Sequence, residues 1–260
     1  MVMDYEGFKK SILSLTGIDL NSYKEKQMKR RIDSLISKNN FSGYYDYVKE
    51  LKVNSKLYNE FINFITINVS EFYRNPSQWE VLEKEILPEL LRKAGNLKIW
   101  SSACSTGEEP YTLAMILTNC MPVENIRILA TDIDKTVLKK AEEGVYIYKS
   151  LENLPQCFQK RFFTKSDNLY KVVDEIKRCV DFKQLDLLKD PYPKDCDLIL
   201  CRNVLIYFTE EAKAGIYQKF NRSLKTGGIL FVGSTEQIIM ANKYNLKPIK
   251  TFFYQKERDL

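Results

Sequence analysis

The sequence predicts an α/β protein: an N-terminal all-helical domain, then a mostly parallel sheet with helices on both faces and a small antiparallel β insertion. Three observations predict it. Residues 1 to about 75 carry apolar residues at helical spacing, with no glycine-rich turn and no β-branched run. Beyond about residue 95, short apolar runs alternate with helical stretches. One segment, about 160–182, fits neither pattern and alternates around the turn signal Ser-Asp-Asn.

In the first region the helical spacing is carried by Phe8, Ile12 and Leu15, by Met28, Ile32, Leu35 and Ile36, and by Phe61, Phe64 and Ile65. The helical domain is expected to span 1–75 and the α/β domain 76–260. Between them, 75–95 lacks linker composition and reads as a helical connection. Six runs then read as strands: LKIW, IRILATDID, VDFKQLDLL, CDLILCRNVLIYF, GGILFVGSTEQ and TFFYQ. The last two follow closely enough to predict an antiparallel pair at the end of the sheet.

The 260 residues are 44% apolar and 28% charged, a balance that can bury a core. The net charge of +6 permits an acidic partner but is too small to argue for nucleic acid. No apolar run approaches the roughly 20 residues of a membrane span, and the start, MVMDYEGFKK, does not read as a signal peptide. Six cysteines stand singly and there is no histidine. That pattern predicts reduced thiols in the cytoplasm and no metal site, and it excludes Ser-His and Cys-His nucleophiles.

Residues 101–115 read SSACSTGEEPYTLAM, a strand-to-helix turn with a single glycine. Ala103, Ser105 and Gly107 are small enough for a ligand to approach the backbone. Thr106 with Glu109 reads as a capping box, and Pro110 suits a first helical turn. A dinucleotide site would need G-x-G-x-x-G and a helix start open to phosphate, but Glu108 and Glu109 would repel one. Twenty-five residues after Gly107 comes TDID. Asp132, at a strand end, is placed to accept both ribose hydroxyls; Asp134 reads as a helix N-cap, and Ala141 lies on the helix that follows. A phosphate-free nucleoside with a positive charge describes S-adenosylmethionine.

Two further stretches are polar where a core would be apolar. In CRNVLIYF (201–208), Arg202 and Asn203 follow a buried strand and are expected to face the site; spacing alone fits Tyr207 equally to the core. In INVSEFYRNPSQW (67–79), Asn68, Ser70 and Arg74 precede the α/β domain, and the same residues fit a helix end with a solvated arginine.

Taken in order, INVSEFYRN, WSSACSTGEEPYTLAM, LATDIDKTVLKKAEEGVY, CDLILCRNVLIYF and GGILFVGSTEQ resemble the CheR family of chemotaxis-receptor methyltransferases, over nearly the whole chain. The resemblance implies a Rossmann-like S-adenosylmethionine-dependent methyltransferase domain and methyl transfer to glutamate side chains of chemotaxis receptors. It implies cofactor contacts at Asn68, Ser70, Arg74, Glu108, Asp132, Asp186, Leu187, Arg202 and Asn203, with Asp186 and Leu187 at the adenine; Ala103, small and in the turn, is expected to join them. It also implies catalytic roles for Arg74 and Tyr207. This chain has Asp186 where many members have Asn, and Ser70 where many have Thr; Asp186 lacks the amide donor. Some members tether a receptor pentapeptide through a glycine-rich loop in the insertion, but FTKSDNLYKVVDEIKR has no glycine. Direct recognition of the receptor helices is expected instead, by a monomer.

The stretch 22–38 carries six basic and two acidic residues and reads as a helix whose apolar side includes Met28, Ile32 and Leu35. Lys26, Arg30 and Asp33 fall on one side of it; the basic run fits solvation and, given the resemblance, fits docking of Glu-rich receptor helices by Lys26, Lys29, Arg30 and Arg31, with Lys29, Arg30 and Arg31 expected to supply most of the attraction. Three rival readings fit the residues less well. A DNA amino-methyltransferase would show an Asn/Asp-Pro-Pro-aromatic motif where RNVLIYF stands. A non-catalytic sensor would not need the intact GEE, TDID and CRN segments. A nicotinamide oxidoreductase would need the missing glycines.

Overall fold

The computed structural model describes residues 3–260. Within it the chain divides into two units, 1–68 with 206–215, and 69–205 with 216–260. The sequence placed the boundary near 75 and had no sign of the returning segment.

The first unit holds four helices: α1 (Tyr5–Thr16), α2 (Glu25–Lys38), α3 (Tyr44–Leu51) and α4 (Ser55–Thr66). Asp4 starts α1 by accepting from the Gly7 N–H, and Asn54 starts α4 by accepting from Leu57. Gly17, at φ 78°, ends α1. The predicted stripes meet: Phe8, Ile12, Met28, Ile32, Leu35, Ile36, Phe61 and Ile65 are buried, and Leu15 and Phe64 half-buried. Residues 206–215 join this unit through two backbone bonds, Lys24 N–H to the Tyr207 carbonyl and Thr209 N–H to the Ser22 carbonyl (both 2.9 Å). The Tyr23 and Phe208 rings pack 4.9 Å apart beside them.

The second unit opens with a continuous helical stretch, α5 (Pro76–Val81), a π turn at 82–86 and α6 (Leu87–Ala94). Pro88 has no N–H to donate to the preceding turn, which accounts for the widened helix there. Four strands then run parallel, β1 (Ile99–Ser101), β2 (Ile128–Asp132), β6 (Val180–Gln184) and β7 (Cys196–Cys201), with β8 (Leu224–Val232) continuing the set. The antiparallel β10 (Phe253–Lys256) lies between β8 and β9 (Leu246–Lys250). The order is β6-β2-β1-β7-β8-β10-β9. The order reverses between β1 and β7, the switch point outside whose C-terminal strand ends open α/β sheets bind ligands. Helices α7 (Glu108–Leu117), α8 (Lys135–Glu143) and α11 (Glu210–Ser223) connect strands of this sheet.

The small antiparallel sheet exists but is displaced from its expected position. It consists of β3 (Val145–Ile147), β4 (Phe163–Ser166) and β5 (Leu169–Val172) in the order β3-β5-β4, with α9 (Gln156–Phe162) feeding β4 and α10 (Asp174–Lys177) following β5. Residues 180–182 belong to β6 on the main sheet. As an edge strand β6 alternates in exposure much as a hairpin strand does, so its pattern could not name its partner. The predicted Ser-Asp-Asn turn joins β4 to β5, with Asp167 at φ 52°.

Candidate functional site

The C-terminal ends of β1, β2, β6 and β7 bring most of the singled-out residues of the second unit to one edge of the sheet. The turn after β1 is built by its backbone. Ser102 N–H reaches the Leu200 carbonyl (2.8 Å), Cys104 N–H the Thr131 carbonyl (2.9 Å) and Ser105 N–H an Asp132 carboxylate oxygen (2.8 Å). Ser105 and Gly107 both take positive φ, 47° and 94°. A Cβ on Gly107 would stand 2.9 Å from the Ala141 Cβ and 3.1 Å from the Tyr146 hydroxyl. Gly107 therefore lets the turn pack against α8 and β3, which corrects the expectation that its smallness serves a ligand.

The capping box is also corrected. The N-cap of α7 is Gly107, without a side-chain cap. Thr106 instead donates its hydroxyl to Glu108 (2.6 Å), which Ser70 also reaches. Glu109 accepts from the Ser101 hydroxyl (2.8 Å) and lies 3.5 Å from the Arg202 guanidinium. Burial pushes the Glu108 and Glu109 carboxyls above the usual range; hydrogen bonds to Glu108 and the Arg202 charge beside Glu109 pull back.

Asp132 ends β2 as expected. Its two oxygens accept from the Ser105 and Asp134 N–H groups (2.8 and 3.0 Å), and each keeps a lone pair for a ribose hydroxyl. Burial pushes its pKa up to about 6, against these two bonds. Asp134 caps α8 by accepting from Thr136 N–H (2.7 Å).

Arg202 departs from the expectation. Its side chain turns inward, between the Trp79 and Phe231 rings (4.9 and 4.7 Å), and only 6% of it is exposed. It donates to the Arg74 carbonyl (2.8 Å) and to Gln78 Oε1 (3.0 Å). Arg202 thus hangs the segment carrying Arg74 on the end of β7, and burial draws its own pKa down. Trp79 supports the same carbonyl through its indole N–H (3.0 Å). Asn203, at φ 61°, is fixed by Glu236, whose carboxylate accepts its N–H (2.6 Å) and that of Gly233 (2.9 Å). Sequence reasoning gave Glu236 and Trp79 no role; the Gly-Ser-Thr-Glu spacing after β8 was the only available sign of the former.

After β6, Asp186 accepts from Leu188 N–H (2.8 Å) and donates its own N–H to Asp190 (2.7 Å). Burial raises its pKa. Leu187 is buried beside it, and Ala103 is half-exposed in the turn after β1. The Arg74 guanidinium donates to the Val69 carbonyl (3.3 Å).

Asn68 and Tyr207 fall in the first unit. Asn68 donates to Thr66 (2.9 Å). Tyr207 lines a cavity of about 190 Å³ with Lys24, Gln27, Arg30 and Arg31, so it is not a core aromatic. The basic run divides. Lys29 pairs with Asp33 (2.9 Å) and Arg31 donates to the Phe64 carbonyl (2.6 Å), while Lys26 and Arg30 are exposed.

Two family profiles share the chain. The CheR methyltransferase all-alpha domain matches residues 3–66, and the CheR methyltransferase SAM binding domain matches residues 68–253. The chain belongs to the CheR methyltransferase family. It is 44% identical over 254 residues to the chemotaxis protein methyltransferase of Listeria innocua serovar 6a, covering 97% of each chain. It is 36% identical to that of Borreliella burgdorferi, over 92% of this chain and 89% of the relative. It is 37% identical to that of Escherichia coli K12, over 75% and 69%. A CheR chain is an S-adenosylmethionine-dependent methyltransferase, and the residues here fit that cofactor. Asp132 offers acceptors for a ribose, Glu108 offers negative charge toward a cationic ligand, and residues 101–109 contain no lysine or arginine to attract phosphate.

Proposed function

We propose that this chain methylates the side-chain carboxylates of specific glutamates in the cytoplasmic helices of transmembrane chemotaxis receptors, giving γ-methyl esters for adaptation, and that it works in the cytoplasm as a monomer. The observation that carries this reading is the acidic lining of the site: buried Asp132 at the end of β2 and buried Glu108 at the start of α7, with no histidine anywhere in the chain. A glutamate has a pKa near 4.3 and is already a nucleophile at neutral pH, so such a site needs no general base.

S-adenosylmethionine supplies an electrophilic methyl on a sulfonium. Asp132 accepts its ribose hydroxyls, Asp186 and Leu187 meet the adenine, and Glu108 balances its positive charge. Asn68, Ser70, Ala103 and the Arg202-Asn203 segment complete the cofactor contacts, Arg202 through the backbone it holds. Arg74 orients the incoming carboxylate by a loose contact, because a tight ion pair would weaken the nucleophile. Tyr207 hydrogen-bonds the reacting oxygen. Excluding water leaves sulfonium and carboxylate poorly solvated, which favours their conversion to neutral products.

On α2, the outward charges of Lys26 and Arg30 attract the acidic receptor helix, with Lys29 and Arg31 contributing less because they are engaged within the unit. The β4–β5 turn is a tight Asp167-Asn168 connection without glycine, which supports direct recognition over pentapeptide tethering. No helix among the described residues is long and apolar enough to cross a membrane. Arg30→Glu should slow receptor methylation about three- to tenfold at low salt and much less at high salt; equal rates at both would remove α2 from docking.

The test of the function is a transfer assay with methyl-labelled S-adenosylmethionine and receptor-bearing membranes, followed by mild alkali. Volatile labelled methanol, lost in Asp132→Ala, is the expected result. Alkali-stable label would mean nitrogen methylation, and no label with intact cofactor binding would mean a sensor.

A further inference from the structure

We propose that Lys219 is a positioning residue for the adenine end of the cofactor, its ammonium tying together the turn 186–190 that carries Asp186 and Leu187. The inference rests on the reading that this turn meets the adenine.

The turn closes on itself through the two aspartates and through Asp190 N–H to the Asp186 carbonyl (2.9 Å). That arrangement leaves the carbonyls of Leu187, Leu188 and Asp190 without partners inside the turn. Lys219, on α11, receives all three, at 3.1, 2.9 and 3.2 Å. An ammonium has three N–H donors and no acceptor, so three converging carbonyls use it completely. The Tyr192 hydroxyl also donates to the Leu187 carbonyl (2.7 Å), and its ring lies 4.8 Å from the ammonium.

The anchor beneath is rigid. The Tyr192 ring packs on Phe220, the next residue along α11 (5.3 Å), and on Trp100 of β1 (4.8 Å). Trp100 in turn donates to Thr131 on β2 (2.9 Å). The position of the turn is thus referred to two central strands through Lys219 and Tyr192. The lysine also addresses the chain's departure from the family at 186. Its charge, with that of Lys189, opposes the burial that raises the Asp186 carboxyl. An ionised Asp186 accepts from the 6-amino group of adenine without needing the amide donor that asparagine would bring.

The test compares S-adenosylhomocysteine with S-inosylhomocysteine, which has oxygen in place of the 6-amino group, by calorimetry. The proteins are the full chain, Lys219→Met, Lys219→Arg and Asp186→Ala. The unaltered chain should prefer the adenosyl ligand. Lys219→Met should weaken its binding about tenfold and narrow the preference, and Lys219→Arg, which still donates to carbonyls, should restore most of both. Unchanged binding in Lys219→Met, or equal loss for both ligands together with a lower Tm, overturns the inference. If Asp186→Ala leaves affinity and preference unchanged, the adenine does not meet this turn, and the underlying reading fails first. If Asp186→Ala narrows the preference and Lys219→Met does not, only the role of Lys219 fails.

Discussion

The turn after β1 and the turn after β6 leave the same edge of one sheet, yet they are held in different ways. The first is held by its own backbone, with Ser105 and Gly107 in left-handed conformations and N–H groups reaching neighbouring strands. The second closes on itself through Asp186 and Asp190, but its remaining carbonyls are held from outside, by Lys219 and Tyr192. A backbone-built turn fails when a side chain cannot fit. A side-chain-built turn fails when a donor is removed, and more gently.

Three predictions press on that difference. Gly107→Val should lower the free energy of unfolding by about 3–5 kcal/mol, through strain at φ 94° and collision with Ala141, as read by urea denaturation. No substitution in 186–190 that keeps the aspartates should approach this. Next is pH. In the proposed site the ribose hydroxyls donate to an ionised Asp132, whose pKa is pushed up to about 6. Affinity for S-adenosylhomocysteine should therefore fall about tenfold between pH 7.5 and 5. Asp132→Asn should flatten that dependence, and no histidine titrates in the window to obscure it. In the ligand-free protein the sign is opposite. Because the folded pKa lies above the unfolded one, the stability associated with Asp132 is greatest below the unfolded value near 3.8 and is lost as pH rises through about 6. The smallest effect belongs to Tyr192→Phe, which deletes one hydroxyl on the Leu187 carbonyl and should weaken cofactor binding about two- to fivefold by calorimetry, with little change in Tm.

The same contrast explains what the sequence made legible. Asp132 and Asp134 could be placed from TDID because their partners lie within a few residues or on an adjacent strand end. The helical stripes of the first unit and the parallel strands were legible because periodicity is local. The Thr106-Glu109 capping box was misread because Gly107 takes the cap and Arg202, far along the chain, engages Glu109. Arg202 itself was expected to face the site, since nothing near it in sequence announces Trp79 and Phe231 as its walls. Two short strands escaped: β3 has three residues, and β9 contains Pro248. Lys219 on α11 carried no signal, since a lysine on an exposed-looking helix is ordinary until three carbonyls arrive at it.

The return of residues 206–215 to the helical unit has a consequence for how such proteins recombine. The unit is not encoded by one uninterrupted stretch. A chimera that exchanges only the first 68 residues between two relatives leaves Tyr207 and Thr209 facing a foreign Lys24 and Ser22. Crossovers that inherit both pieces from one parent should survive selection more often than those that split them, and exchange of the helical unit between relatives is best carried out on the two segments as a single cassette.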